Sequence, residues 1–185
     1  MKTKLAAVGV AVLGLLPLSA LVIAAPARQA VKDRPILSSI KELMDSIIDP
    51  SADVVWGAGG TVVDKEGFHE LSPKTDEDWL NVRRAAVRLI EGGNLLMMPG
   101  RLAAPRGTKS DTPGVELEPA EITALIRKNQ RTFTAFGKAL QDIGAEVLRA
   151  SDAKNDASLL DVGARMDGVC ESCHQTFWYP NEKIP

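Results

Sequence analysis

Cys170, Cys173 and His174 stand in one five-residue run, Cys-Glu-Ser-Cys-His, which takes up both cysteines of the 185-residue chain and one of its two histidines. CxxCH is the spacing that fixes a c-type haem: two thiols each add across a haem vinyl group while the neighbouring imidazole ligates the iron. The run also constrains the fold. Only residues 175–185 follow it, so a second axial ligand has to come from upstream and fold back over the end of the chain. Other readings of CxxC find less support. A thioredoxin-like pair wants a βαβ setting and a zinc site wants two further ligands, and neither is visible in the sequence. A plain disulfide stays open, although so small a loop would stabilise little.

The N-terminus points to the same compartment. Lys2 and Lys4 precede an apolar run from Leu5 to Ile23, and small residues with Ala25-Pro26-Ala27 follow as a cleavage site, the layout of a secretory signal. The alternative is an uncleaved membrane anchor, which Gly9, Gly14 and Pro17 weaken as a spanning helix. Residues 1–27 are therefore expected to be a signal peptide and residues 28–185 a single exported domain in the periplasm. Removing the first 27 residues takes the formal charge from −2 to −4. A mildly acidic domain of this kind has no basic face for nucleic acid, and its length suffices for one core.

The rest of the chain reads as all-α, in four helical segments. Ile36, Ile40, Leu43, Met44, Ile47 and Ile48 form one apolar stripe, which Pro50 interrupts or kinks before Val54, Val55 and Trp56. Residues 57–74, with glycines at 57, 59 and 60, read as a loop. Thr75 and Asp78 offer a capping box ahead of a stripe through Trp79, Val82, Ala86, Leu89, Ile90 and Met97, which Pro99-Gly100 closes. A third stripe starts near Pro119 and runs through Ile122, Ile126, Phe133, Leu140 and Val147 to about Ala150. The last carries Leu159, Val162, Met166, Val169, Cys170, Cys173 and Phe177 on one side, so that both thiols are expected to face the core, and Pro180 ends it. Short connections favour antiparallel neighbours, and the pattern fits an up-down-up-down four-helix bundle holding its cofactor between helices.

With CxxCH near the end of a last helix, Phe177 three residues after the histidine, and Met44 in the first helix, the chain resembles the cytochrome c prime family and its low-spin, methionine-ligated relatives. The layout match covers nearly the whole chain after residue 27. One departure is plain: the family commonly has Arg or Lys directly after that aromatic, and this sequence has Trp178-Tyr179-Pro180. The resemblance implies a periplasmic four-helix bundle with one covalent haem and no enzymatic activity. It also implies Cys170 and Cys173 as attachment points and His174 as the proximal iron ligand. Its members often dimerise through helix faces, so a homodimer is compatible with it.

In such a bundle the end of the last helix lies beside the start of the first, and Met44 stands about two turns into that helix, where the family carries its distal residue. Met44 is thus expected as the second axial ligand. The alternative is an open iron walled by Leu43, Met44 or Ile47. Met97 and Met98 belong to the second helix, diagonal to the last. Met166, eight residues before His174, lies about 12 Å along the same helix and reads as core, and His69 reads as a solvated loop histidine. A thioether-saturated iron suits a one-electron carrier working with periplasmic redox partner proteins, and an open iron suits a protein that binds nitric oxide or carbon monoxide. A peroxidase would need a distal acid–base pair, for which the sequence offers no histidine. Trp56, Trp79, Trp178 and Phe177 are candidates to pack around a porphyrin. Arg34, Arg83, Arg84, Arg127 and Arg131 are candidates to pair with its propionates, and residues 99–117 read as a mobile connection.

Overall fold

The computed structural model describes residues 35–180, and the expected signal segment and Arg34 lie outside the described residues. The body is helical, as the periodicity requires. A first helical rod comprises α1 (Ile40–Leu43), a π-helical turn (Met44–Ile48) and α2 (Asp49–Ala58). Ser39 begins it with a capping box: its hydroxyl accepts the Glu42 N–H, and Glu42 reaches back to the Ser39 N–H. Pro50 does not break the rod. It sits in the first turn of α2, and the wider π turn before it relieves the clash that a proline ring makes with the carbonyl four residues back in an α-helix. Ser51, fully buried, then donates to the Ile47 carbonyl at 2.6 Å and accepts from Arg88 at 2.9 Å, which fastens the rod to the next helix.

Residues 57–74 are not a plain loop. They contain an antiparallel hairpin of β1 (Gly60–Asp64) and β2 (Gly67–Leu71), in register from Gly60 opposite Leu71 to Asp64 opposite Gly67. The signal was the β-branched run Thr61-Val62-Val63 followed by Gly67, whose φ of +124° only glycine adopts without strain. His69 is on β2, exposed, with Nε2 3.1 Å from Asp64 Oδ1. At the hairpin's base Gly59 packs against Leu159.

α3 (Asp76–Leu96) starts at the expected box: Thr75 Oγ1 accepts the Asp78 N–H at 3.1 Å and the Asp78 carboxylate accepts the Thr75 N–H at 2.8 Å. Replacing Thr75 by Ala should cost about 1 kcal/mol, measurable by chemical denaturation. These hydrogen bonds, Thr75's first, hold the Asp78 carboxyl below the ordinary aspartate range. A depressed folded-state pKa means that its stabilisation is present above the ordinary aspartate pKa and fades as pH falls through the folded value. The Thr75→Ala penalty should therefore shrink in strong acid.

The third stripe is two helices, α4 (Pro119–Lys128) and α5 (Gln130–Asp152), because Asn129 leaves helical geometry and its side chain takes the Leu125 carbonyl at 3.0 Å. α6 (Asp156–Phe177) follows a tight turn capped by Asn155. α3 packs most extensively on α5, α5 on α6, and the first rod on α3, whereas the rod and α6 share the lightest contact around this ring. α3 and α5 approach closely because glycines line their seam. A Cβ on Gly93 would stand 2.8 Å from the Gly137 carbonyl oxygen, and one on Gly144 3.1 Å from the Ile90 nitrogen. Ile40, Val55, Leu89, Val147, Leu159, Met166 and Phe177 form the fully buried centre.

Residues 99–117 do not hang free. Ile40 and Lys41 donate backbone N–H groups to the Leu102 and Ala103 carbonyls, and Leu117 N–H donates to the Trp178 carbonyl at 2.8 Å. Arg101 is buried against Ser38. The segment thus runs across the start of α1 and the end of α6. None of the described helices is long and apolar enough to cross a membrane.

Candidate functional site

The light contact between the first rod and α6 is where the sequence-predicted residues meet. Cys170, Cys173 and His174 come from α6, Met44, Ile48, Asp49, Ala52 and Trp56 from the rod, and Leu96, Phe136 and Leu140 close the back. Together they line one cleft of about 90 Å³. Apart from His174, Asp49 is its only ionisable group that is not a thiol. Helical spacing accounts for the α6 side: positions 170, 173 and 174 share one face. Val169, Cys170 and Cys173 are half-buried, so the thiols stand at the edge of the core and not within it, unlike Leu159, Val162, Met166 and Phe177.

Met44 reaches the cleft from the π turn. Asp49 N–H donates to the Met44 carbonyl five residues back, the hydrogen bond that defines such a turn. In an α-helix residues five apart point about 140° away from each other; one wide turn instead stacks Asp49 beneath Met44, and both line the cleft. Nothing in the sequence beyond the nearby Pro50 signalled this turn, and Asp49 was not among the expected site residues.

The other methionines fall elsewhere. Met97 packs on Gly137, Met98 lies beside Arg101, and Met166 is fully buried in the core. His69 is on the hairpin, whose base meets Leu159, roughly 22 Å along α6 from His174. None of Arg83, Arg84, Arg127 and Arg131 lines the cleft. Arg83 pairs with Asp152 and Arg84 with Glu77. Of the aromatics, Trp56 lines the cleft and donates its indole N–H to the Gly163 carbonyl at 3.1 Å. Trp79 is core, Trp178 lies with its ring 5.9 Å from His174, and Phe177 points away into the centre.

On the other side of His174 lies a second, more polar cleft of about 180 Å³, bounded by the rod, the 99–117 segment and the end of α6. Met44, Asp49 and His174 line both clefts. Its cations are Lys41, 2.7 Å from Asp111 and 4.0 Å from Asp45, and Lys109.

The electrostatics separate the possible chemistries. Burial pushes the Cys170 thiol up to about 11, with the Asp49 charge adding to the shift, and pushes Cys173 up to about 12. A CxxC that works by thiol–disulfide exchange carries a depressed thiol pKa, usually at a helix N-terminus; this one lies near a C-terminus, where the helix dipole also disfavours thiolate. The arrangement is that of protonated, apolar-lined thiols. Nor do the site residues converge as a metal-ion cage: among the described residues, the one group of three or more His, Cys, Asp or Glu residues with ligand atoms all within 4.8 Å of one another is exposed Asp64, Glu66 and His69. Asp49 itself is raised above the ordinary aspartate range, first by burial on its cleft side, with His174 acting in the opposite sense. It keeps contact with solvent on its other side.

No protein-family model, curated protein or solved structure matches the chain.

Proposed function

We propose that this chain is a periplasmic monohaem c-type cytochrome acting as a one-electron carrier, its helices forming an up-down-up-down four-helix bundle of the cytochrome c prime kind. The observation that carries the reading is the meeting of Cys170, Cys173, His174 and Met44 on one apolar cleft. The donor set fits a c-type haem: two thiols for thioethers, an imidazole, and a thioether sulfur from the facing rod. The volume, about 90 Å³, is narrower than a porphyrin. Seating the ring therefore requires the rod and α6 to part, and theirs is the lightest contact around the ring of the rod, α3, α5 and α6.

In this reading Cys170 and Cys173 would hold the haem, each thiol adding its sulfur and hydrogen across a vinyl group, and His174 and Met44 would supply a nitrogen and a sulfur ligand to its iron. When bound, the group supplies a one-electron iron couple. The protein's residues exclude water with Ile48, Trp56, Phe136 and Leu140, and the Met44 sulfur favours the reduced iron and a higher potential. The rod, α6 and the pinned 99–117 segment hold the ligands in place, which limits rearrangement on electron transfer. Redox partner proteins in the periplasm are the expected partners, with neither nucleic acid nor substrate, and membrane attachment only if residues 1–27 stay uncleaved.

Absorption spectra of the purified protein, oxidised and reduced, with and without carbon monoxide, test this. A low-spin spectrum indifferent to carbon monoxide, with the weak long-wavelength methionine-to-iron band, is expected. A high-spin spectrum that shifts with carbon monoxide would make the protein an open-iron gas binder, and absence of haem absorption would overturn the whole reading. In Met44→Ala the long-wavelength band should vanish and the reduced iron should bind carbon monoxide; an unchanged spectrum would remove Met44 from the iron.

A further inference from the structure

Asp49 is a carboxylate that the reading above leaves without a role, although it faces everything the cleft brings together. Three features place it there. The π turn stacks it beneath Met44, through its N–H to the Met44 carbonyl. It lines both clefts that flank His174. Its charge also reaches two α6 residues, disfavouring thiolate at Cys170 and interacting with the His174 ring. In the apolar cleft it is the only carboxylate among the lining residues.

The charges around it do not cancel it. Asp45 and Asp53 on its own rod add negative charge, and Lys41 is the one lysine that acts on it. That lysine is already engaged, 2.7 Å from Asp111 and 4.0 Å from Asp45.

We propose that Asp49 is a positioning charge that sets the reduction potential of the iron, stabilising the ferric over the ferrous state. The inference rests on the haem reading above. Reduction takes one electron from an outside one-electron donor and lowers the iron's charge by one, with no bond made or broken. A fixed negative charge nearby opposes that step; Asp49 is itself exposed, but the apolar lining on its cleft side screens it less than water alone would. Asp49 and Met44 then act in opposite senses from the two ends of the hydrogen bond that closes the π turn.

The test is a potentiometric titration of the purified holoprotein at one neutral pH, with dithionite as reductant, comparing wild type with Asp49→Asn, Asp49→Glu and Asp156→Asn. Asp156 opens α6, about 27 Å along the helix from His174, so its loss changes net charge equally and far away. Asp49→Asn should favour the ferrous form roughly tenfold at a given poise, an upward shift of about 59 mV, with an unchanged low-spin spectrum. Asp49→Glu should stay near wild type, and Asp156→Asn should shift far less. A wild-type potential in Asp49→Asn, an equal shift in Asp156→Asn, or a shift that comes with a changed ligand spectrum would each overturn the proposal while leaving the haem reading intact. A wild-type protein without haem absorption would overturn both.

Discussion

Replacing Cys170 and Cys173 together by alanine should abolish covalent haem: the double variant, denatured and extracted with acid acetone, should keep no absorbance on the polypeptide, whereas the wild type keeps all of it. Each thioether is one S–C bond made when a thiol's sulfur and hydrogen add across a vinyl group, so removing both sulfurs leaves no covalent route. Either single variant keeps one such bond and should still carry haem through denaturation. The substitution is mild for the fold, because both side chains are half-buried at the rim of the core and alanine suits a helix. Loss of haem with retained helical circular dichroism is the expected pair of readings. Haem that survives denaturation in the double variant would place the attachment elsewhere and remove the basis for the cytochrome reading.

The helical body was legible from periodicity, and so were its capped starts. Thr75 with Asp78 announced α3 because side chain and backbone satisfy each other within four residues, an interaction that needs no tertiary context. The three α6 site residues were legible for the same reason, their spacing being fixed by the helix itself. What escaped was structure decided by competition among neighbours. At the break Asn129 leaves helical geometry while its side-chain amide joins its own N–H on the Leu125 carbonyl, and its sequence looks like an unbroken stripe. The hairpin at residues 60–71 was hidden by glycines that suggest a loop, although Gly67 is what its turn requires. The π turn left no periodic trace, since five residues of one wide turn cannot be told from α-helix by pattern. Asp49 was missed with it, because at α-helical spacing it would not stack beneath Met44. For the arginines offered as propionate partners, composition supplied candidates and nothing more; geometry adds that Arg83 and Arg84 are engaged with Asp152 and Glu77.

Phe177→Ala should lower stability by about 3–5 kcal/mol, seen as a fall in Tm of roughly 10 °C for a domain of this size. Phe177 is fully buried. Its ring stands edge-to-face on Phe133 at 5.4 Å and on Phe136 at 6.3 Å, so truncation removes both a large apolar volume and two aromatic pairings. The position matters more than the volume. Phe177 is the last residue of α6, one turn beyond His174, and its neighbour Trp178 returns an N–H to the His174 carbonyl at 2.7 Å while accepting from Leu117. The anchor thus fixes the end of the helix that carries the imidazole and ties the 99–117 segment to it. Phe136 touches Phe177 on one side and lines the apolar cleft on the other, so the core and the site share a wall. Melting followed by far-ultraviolet circular dichroism and by haem absorbance should therefore give coincident transitions in wild type and in Phe177→Ala. Phe177→Leu, which keeps most of the volume, should lose markedly less stability. A loss below about 1 kcal/mol on truncation to alanine would mean that Phe177 does not anchor the end of α6.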